Sequence, residues 1–316
     1  MDNPAASPFW KSHREEIKKV VIEKTVRPVS MEGWFSRCSV LESVSKLPDS
    51  VVNAHRLFGD CIRLKKTPDF PENLEVASCM YDGCKNLTTV SDLPDHLKDA
   101  MDMFSGCEKL VDIPKLPQRL ESGYRMFAGA GIENVLESDL PSGLKDGSYM
   151  FQGCKKIEKV YGLPDSLEKG YYMFYGCSNL DYVKKLPKGL KDAQGMFGAC
   201  YNLKKFTKEF QIPDKAVTTV MFWAREGELH PTWVPAANKS LVNYPNWGSE
   251  GRGIILYCTV SLRDSERKLL KEVDVRYGDE FKKEQLPQAP KGYHWILPDL
   301  SELNQVEKDL TVTLQK

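Results

Sequence analysis

Any chemistry in this chain would first be sought at its nine cysteines. Seven of them, Cys38, Cys61, Cys84, Cys107, Cys154, Cys177 and Cys200, each stand three residues after an aromatic residue. Thiols arrayed so regularly could act as a redox ladder or as metal ligands. Zinc sites want clustered pairs such as Cys-x-x-Cys, and the chain contains none. Cysteines 23 residues apart would lie about 5 Å from one another on adjacent coils of a repeat, close to the Cα range of a disulfide. Side-by-side pairing would pucker such a stack. A buried thiol also packs as a small hydrophobe with a weak donor, and that is the role expected of the column. Cys79 lies outside it and is expected to be a free thiol, with a local bridge to Cys84, five residues on, as the alternative.

The remaining reactive side chains do not converge. His13, His55, His96, His230 and His294 share no position in the repeat, and no metal-ligand spacing links them. The glycines follow the repeat and form no phosphate-binding loop. Catalysis needs groups that meet in a pocket. No catalytic residue, metal ligand or cofactor is therefore assigned, and the chain is expected not to be an enzyme. Surface chemistry is the better candidate. In the later repeats Lys159 and Tyr161, then Tyr182 and Lys184, flank the valine of a Leu-x-x-Val stretch, and Lys205 flanks Phe206 in the same column. Earlier repeats hold Ser43, Ser45, Thr89, Ser91, Asp112 and Pro114 in these columns. The five late residues form a basic and aromatic strip, suited to an acidic protein or a glycan. The competing reading is solvated lysines between scattered tyrosines.

These residues are positioned by one phrase, Met-Phe-x-Gly-Cys-x-x-Leu-x-x-Val-x-x-Leu-Pro-x-x-Leu. Its aromatic anchors are Phe35, Phe58, Tyr81, Phe104, Phe127, Phe151, Phe174 and Phe197, spaced by 23 residues with a single 24. A fixed period of this length marks a leucine-rich solenoid. Each column then has a task. Leu41, Leu64, Leu87, Leu110, Ile157, Leu180 and Leu203 stack into a core. The Leu-x-x-Val stretch forms a short strand that pairs in parallel with its neighbours. The proline that follows, as at Pro164 and Pro187, ends it because proline cannot donate to a ladder. The anchors pile into an aromatic spine, and the glycines before the cysteines mark tight turns or positive φ. At roughly 4.8 Å per strand the stack would be on the order of 34 Å long. Ala130 replaces the cysteine in the coil of Phe127, which carries the extra residue, so a bulge is expected there.

Residues 1–33 are expected to be a frayed tail (1–16) and an N-terminal cap, 34–225 the repeats, and 226–252 a C-terminal cap and linker. For 253–316 a small β-rich, α+β or β-grasp-like module is expected, with strands near 254–262, 269–277 and 310–314. Lys+Arg and Asp+Glu are both 44, which argues against nucleic acid as a partner. No apolar run is long enough to span a membrane. The first 16 residues lack the apolar core of a signal peptide. A monomer is expected.

The segment Met103-Phe104-Ser105-Gly106-Cys107-Glu108-Lys109-Leu110 resembles the BspA-type leucine-rich repeats of bacterial surface proteins. Val234-Pro235 to Tyr244-Pro245-Asn246-Trp247 is similar to the segment that closes such arrays. Tyr277-Gly278, Pro290 to Trp295 and Asp309 to Val312 resemble the B-repeat modules of bacterial cell-surface proteins. The resemblance implies a non-enzymatic protein at the bacterial surface, concerned with adhesion or with binding an unknown protein or glycan ligand of host origin, the module serving as spacer. Chain ends that fall beside module edges imply an excerpt of a longer protein. An intracellular interaction scaffold is the alternative, consistent with unpaired thiols and the lack of a signal.

Overall fold

The computed structural model describes residues 9–203, 206–207, 209–213, 216–218, 221–222, 232–235, 254–276, 279–298, 302–303, 305–306 and 309–315. The repeats form a parallel solenoid whose short strands include β1 (Lys19–Val20), β2 (Ser43–Val44), β3 (Asn134–Val135), β4 (Lys159–Val160) and β5 (Tyr182–Val183). β1 pairs in parallel with β2, and β3, β4 and β5 pair in parallel in that order. The strands thus fall on the expected valine column.

A second parallel ladder was not anticipated. It lies five residues before each anchor and runs Ser30–Asn53–Val76–Asp99, then Ser122–Asp146–Lys169–Asp192–Val217. Its residue types vary because the contact is made by backbone. Where the column holds Asp, Asn or Ser, the side chain accepts from the amide two residues on. Asn53 accepts from His55 at 2.9 Å, Asp99 from Met101 at 3.0 Å and Asp146 from Ser148 at 2.9 Å. This local bond starts a turn. The column proline starts the other turn of the coil, its carbonyl accepting from the residue three further on, as from Leu167 to Pro164 at 3.0 Å.

Between the second ladder and the cysteine, backbone donors alternate in direction. Amides of Ala54, Arg56, Phe58 and Asp60 bond to carbonyls of the next coil, while Leu57, Gly59 and Cys61 bond three residues back. This alternation places two residues per coil at positive φ, two before and two after the anchor. The later one is usually glycine, as expected: Gly83, Gly106, Gly129, Gly153 and Gly176 lie at φ 68–75°.

The core is one continuous cluster from Val20 to Phe222. The anchors stack as a spine, with neighbouring centroids 5.4 Å apart at Phe151–Phe174 and 6.0 Å at Phe35–Phe58. Offset stacking of this kind adds about 0.5–1.5 kcal/mol per pair beyond burial. An open solenoid end would leave its last ring in water. At the N-terminal end Trp10 covers it, from a stretch expected to be frayed. Phe9–His13 forms a 3-10 helix, and the Trp10 ring stacks on Phe35 at 5.7 Å and donates its N–H to the Trp34 carbonyl at 2.9 Å. At the other end Phe206, Phe210 and Phe222 close around Phe197.

The C-terminal strands are β6 (Thr232–Pro235), β7 (Ile254–Arg263), β8 (Leu269–Arg276), β9 (His294–Ile296) and β10 (Leu310–Gln315). β7 pairs in parallel with β6 and β10 and antiparallel with β8, while β9 pairs antiparallel with β10. Cys258, Val260 and Leu262 alternate inward on β7 and meet Val312, Val275 and Phe281 in a separate core. The α+β, β-grasp-like domain expected over 253–316 is not what folds. Such a domain needs a helix laid across its sheet. Among the described residues only Glu302 and Leu303 are α-helical, and Lys283–Gln285 is a single 3-10 turn. The connecting stretch carries Pro287, Pro290 and Gly292, which interrupt helix hydrogen bonding. Among the described residues the core on this side is pinned where Phe281 donates to Leu303 at 2.8 Å and Val306 to Asp279 at 3.0 Å. Tyr277 and Gly278, used in the B-repeat resemblance, lie outside the described residues.

Candidate ligand-binding strip

The strip is built by β4 and β5. Parallel pairing sets Lys159 directly beside Tyr182 and turns Val160 and Val183 inward, where both are fully buried. Alternation along an extended strand then sends the residues flanking each valine outward. Tyr161 is exposed, while Lys159, Tyr182 and Lys184 are half-buried. Backbone amides fix the two outer residues to the preceding coil, Tyr161 to Val135 at 2.8 Å and Lys184 to Val160 at 3.0 Å. The Tyr161 and Tyr182 rings lie 5.9 Å apart, tilted by 51°. Four of the five expected residues thus share one face. Lys205 lies outside the described residues.

The electrostatics are more balanced than the lysine count suggests. Lys184 Nζ lies 3.7 Å from a Glu209 carboxylate oxygen. Lys185 reaches past Gly162 to Glu137 at 3.3 Å, two coils away. Gly162 makes that reach possible, because a Cβ there would come within 2.7 Å of Glu137 Cβ. Lys159 makes no ion pair among the described residues. Beside it lies a shallow hollow of about 180 Å³ lined by Glu133, Asn134, Lys156, Glu158 and Asn179. Among the described residues the strip therefore offers one uncommitted cation beside a pair of tyrosines, with amides and carboxylates at its edge.

The cysteine column is structural. All nine cysteines are thiols. In the column every sulfur after Cys38 reaches an anchor carbonyl of the coil before it: Cys61 to Phe35 at 3.1 Å, Cys84 to Phe58 at 3.2 Å, Cys107 to Tyr81 at 3.3 Å, Cys154 to Phe127 at 3.0 Å, Cys177 to Phe151 at 3.2 Å and Cys200 to Phe174 at 3.1 Å. The S–H donates, so the carbonyl bonds both its own coil and the next. Burial pushes the Cys154 thiol up to about 12 and raises Cys61, Cys84, Cys107 and Cys177 in the same direction. Such thiols are neither nucleophiles nor ready metal ligands. Among the described residues no group of three or more His, Cys, Asp and Glu side chains is arranged to hold a metal ion, and no helix is long and apolar enough to cross a membrane.

Sequence reasoning missed one cluster. Tyr124, Tyr149, Tyr171, Tyr172 and Tyr175 meet on the turn side of the coils, with neighbouring centroids 4.7–5.7 Å apart. They come from three different columns, so reading column by column does not reveal them. Counting tyrosines across neighbouring columns would have.

No curated protein matches the chain. Three solved structures are similar in part. A leucine-rich repeat protein of T. pallidum is 24% identical, over 59% of this chain and 78% of that one, with a TM-score of 0.39. A leucine-rich repeat protein of Bacteroides ovatus ATCC 8483 is 19% identical, over 76% and 84%, with a TM-score of 0.31. A leucine rich cell surface protein of Faecalibacterium prausnitzii A2-165 is 22% identical, over 54% and 60%, with a TM-score of 0.33. The profile of the BspA type leucine rich repeat region matches residues 10–130 and 101–217, most of the chain. Period, parallel ladders, aromatic spine and profile agree: the chain belongs to the BspA-type leucine-rich repeat family.

Proposed function

We propose that the protein acts at a bacterial surface, where the solenoid binds a host protein or glycan through the strip of Lys159, Tyr161, Tyr182, Lys184 and Lys205. The C-terminal sheet serves as a spacer. The observation that carries this reading is the pairing of Lys159 with Tyr182 and the 5.9 Å approach of Tyr161. Two rings and an uncommitted ammonium on a rigid ladder are the kind of pre-ordered surface on which solenoids bind ligands. Tyrosine brings large contact area at low entropic cost, and lysine favours an acidic partner.

The test is binding of the full chain to arrays of host matrix proteins and acidic glycans, with Tyr161→Ala/Tyr182→Ala as the variant. A hit that depends on the strip is weakened by about tenfold or more and falls further as salt screens Lys159. Unchanged retention of every hit in the variant ends the proposal.

A further inference from the structure

We propose a second ligand face, separate from the strip: the tyrosine ledge on the turn side of the coils anchored by Phe127, Phe151 and Phe174, which binds a neutral oligosaccharide. Tyr149 sits at the centre. Its ring stacks on Tyr172 at 5.6 Å and meets Tyr124 and Tyr171 edge to face at 5.7 and 5.2 Å. Tyr175 extends the ledge beyond Tyr172 at 5.2 Å. All five rings are half-buried and reach solvent. Three coils at about 4.8 Å spacing give a run of roughly 10 Å, the scale of a short saccharide chain.

The solenoid does not itself require these rings. Tyr149 and Tyr172 occupy the column two before the anchor, where backbone φ is +57° and +51°. A bulky side chain is disfavoured there. The same column is filled by Gly33 and Gly195 at either end, and by Arg56, Cys79, Asp102 and Arg125 between. Every coil imposes this φ, yet two adjacent coils fill the position with tyrosine where the others use glycine, cysteine or a charged residue. The next coil makes room for the rings. A Cβ at Gly195 would come within 2.7 Å of the Tyr172 ring, and one at Gly198 within 2.8 Å of Tyr175.

The surroundings select the ligand's chemistry. The ledge's cation, Arg125, is committed to Asp102 at 2.8 Å and to Gln152 at 3.3 Å. Asp146 accepts from the Ser148 amide at 2.9 Å. What remains is the outer surfaces of the rings, phenol hydroxyls, the amide nitrogen of Gln152 and the side-chain amide of Gln194. Apolar faces with neutral donors and acceptors at the rim match the C–H faces and hydroxyls of an uncharged sugar. Among the described residues the nearby charges are paired, Arg125 with Asp102 at 2.8 Å and Lys169 with Asp146 at 3.8 Å, so a charged glycan or an acidic peptide gains little there.

The experiment is a microarray of neutral oligosaccharides probed with the full chain and with Tyr149→Gly/Tyr172→Gly. Glycine is native to this column, so the variant should keep the coil and melt within a few degrees of the parent. Retention of the neutral glycans should fall by at least about tenfold and should not depend on salt, whereas Tyr161→Ala/Tyr182→Ala should leave it unchanged. Tyrosine nitration of the unaltered chain, mapped by mass spectrometry with and without the retained glycan, tests the site without any variant. Protection of Tyr149, Tyr171 and Tyr172 is expected. Three results overturn the proposal: no neutral glycan retained, retention unchanged in the glycine variant, or protection confined to Tyr161 and Tyr182. A ledge that captures only proteins overturns the ligand class. Failure of the strip variant to affect any hit would count against the proposed function alone.

Discussion

Tyr81 is the one tyrosine in a spine of phenylalanines, and replacing it with phenylalanine should stabilise the protein. Its side chain is fully buried, and its hydroxyl finds no hydrogen-bond partner among the described residues. Burial raises its phenol far above the usual range. The ring itself is well placed. It stacks on Phe58 at 5.5 Å and on Phe104 at 5.8 Å, and takes the edge of Phe70 at 6.1 Å. Phe104 and Phe127 stack at 5.6 Å without a hydroxyl, so Tyr81→Phe keeps every ring contact. It removes a desolvation cost of about 1–3 kcal/mol and loses a few tenths of a kcal/mol in contacts of one oxygen atom. The net gain is about 1–2 kcal/mol. For a chain of this size that corresponds to roughly 2–6 °C in melting temperature. Urea unfolding followed by far-ultraviolet circular dichroism should show a higher midpoint with an unchanged slope. A variant less stable than the parent by more than about 0.5 kcal/mol would refute the reasoning, since the hydroxyl would then be satisfied in the folded protein.

The thiol column makes stability fall at alkaline pH. Burial keeps Cys154 protonated to about pH 12 in the folded protein, whereas unfolded thiols ionise near pH 8.5. Between roughly pH 9 and 12 the unfolded chain therefore binds fewer protons, and each such thiol lowers stability by up to about 1.4 kcal/mol per pH unit. Chemical denaturation across this window should show Cys154→Ala, which repeats what Ala130 does in its own coil, flattening the slope by about one proton; an identical slope counts against it. Below that window, alkylation under native conditions should modify half-buried Cys79 before any column cysteine. At the positive-φ position after the anchor, Gly106→Ala should cost about 1–2 kcal/mol, its φ being 69°. Ala199→Gly, at φ 55°, should be neutral or stabilising. Melting curves check both, and a Gly106→Ala protein as stable as the parent would remove the left-handed turn as the reason for the glycines.

Much of this architecture is legible in the residues alone. The period, the aromatic spine, the inward leucines and the valine strands can be read because stacking puts the same residue type in the same place in every coil. The thiol column can be read as packing for the same reason. The Lys159–Tyr182 register follows from it, since like columns must pair. The second ladder is not legible. Ser30, Asn53 and Asp99 share a side-chain acceptor that starts a turn, but Val76, Lys169 and Val217 in the same column do not, so what makes the ladder is backbone pairing, which leaves no uniform compositional trace. Trp10 could not be placed as the lid of the spine, because a cap is unique and no period announces it. Nor could the bond from Phe281 to Leu303 that pins the chain at the C-terminal core, because it joins residues far apart in sequence. The compensation of Lys184 by Glu209, and of Lys185 by Glu137 past Gly162, joins residues 25 and 48 positions apart. Sequence alone determined what repeats, because repetition is a local rule applied at every coil. Only the tertiary structure decided what happens once: the end caps, the charge pairs and the gathering of five tyrosines from three columns into one ledge.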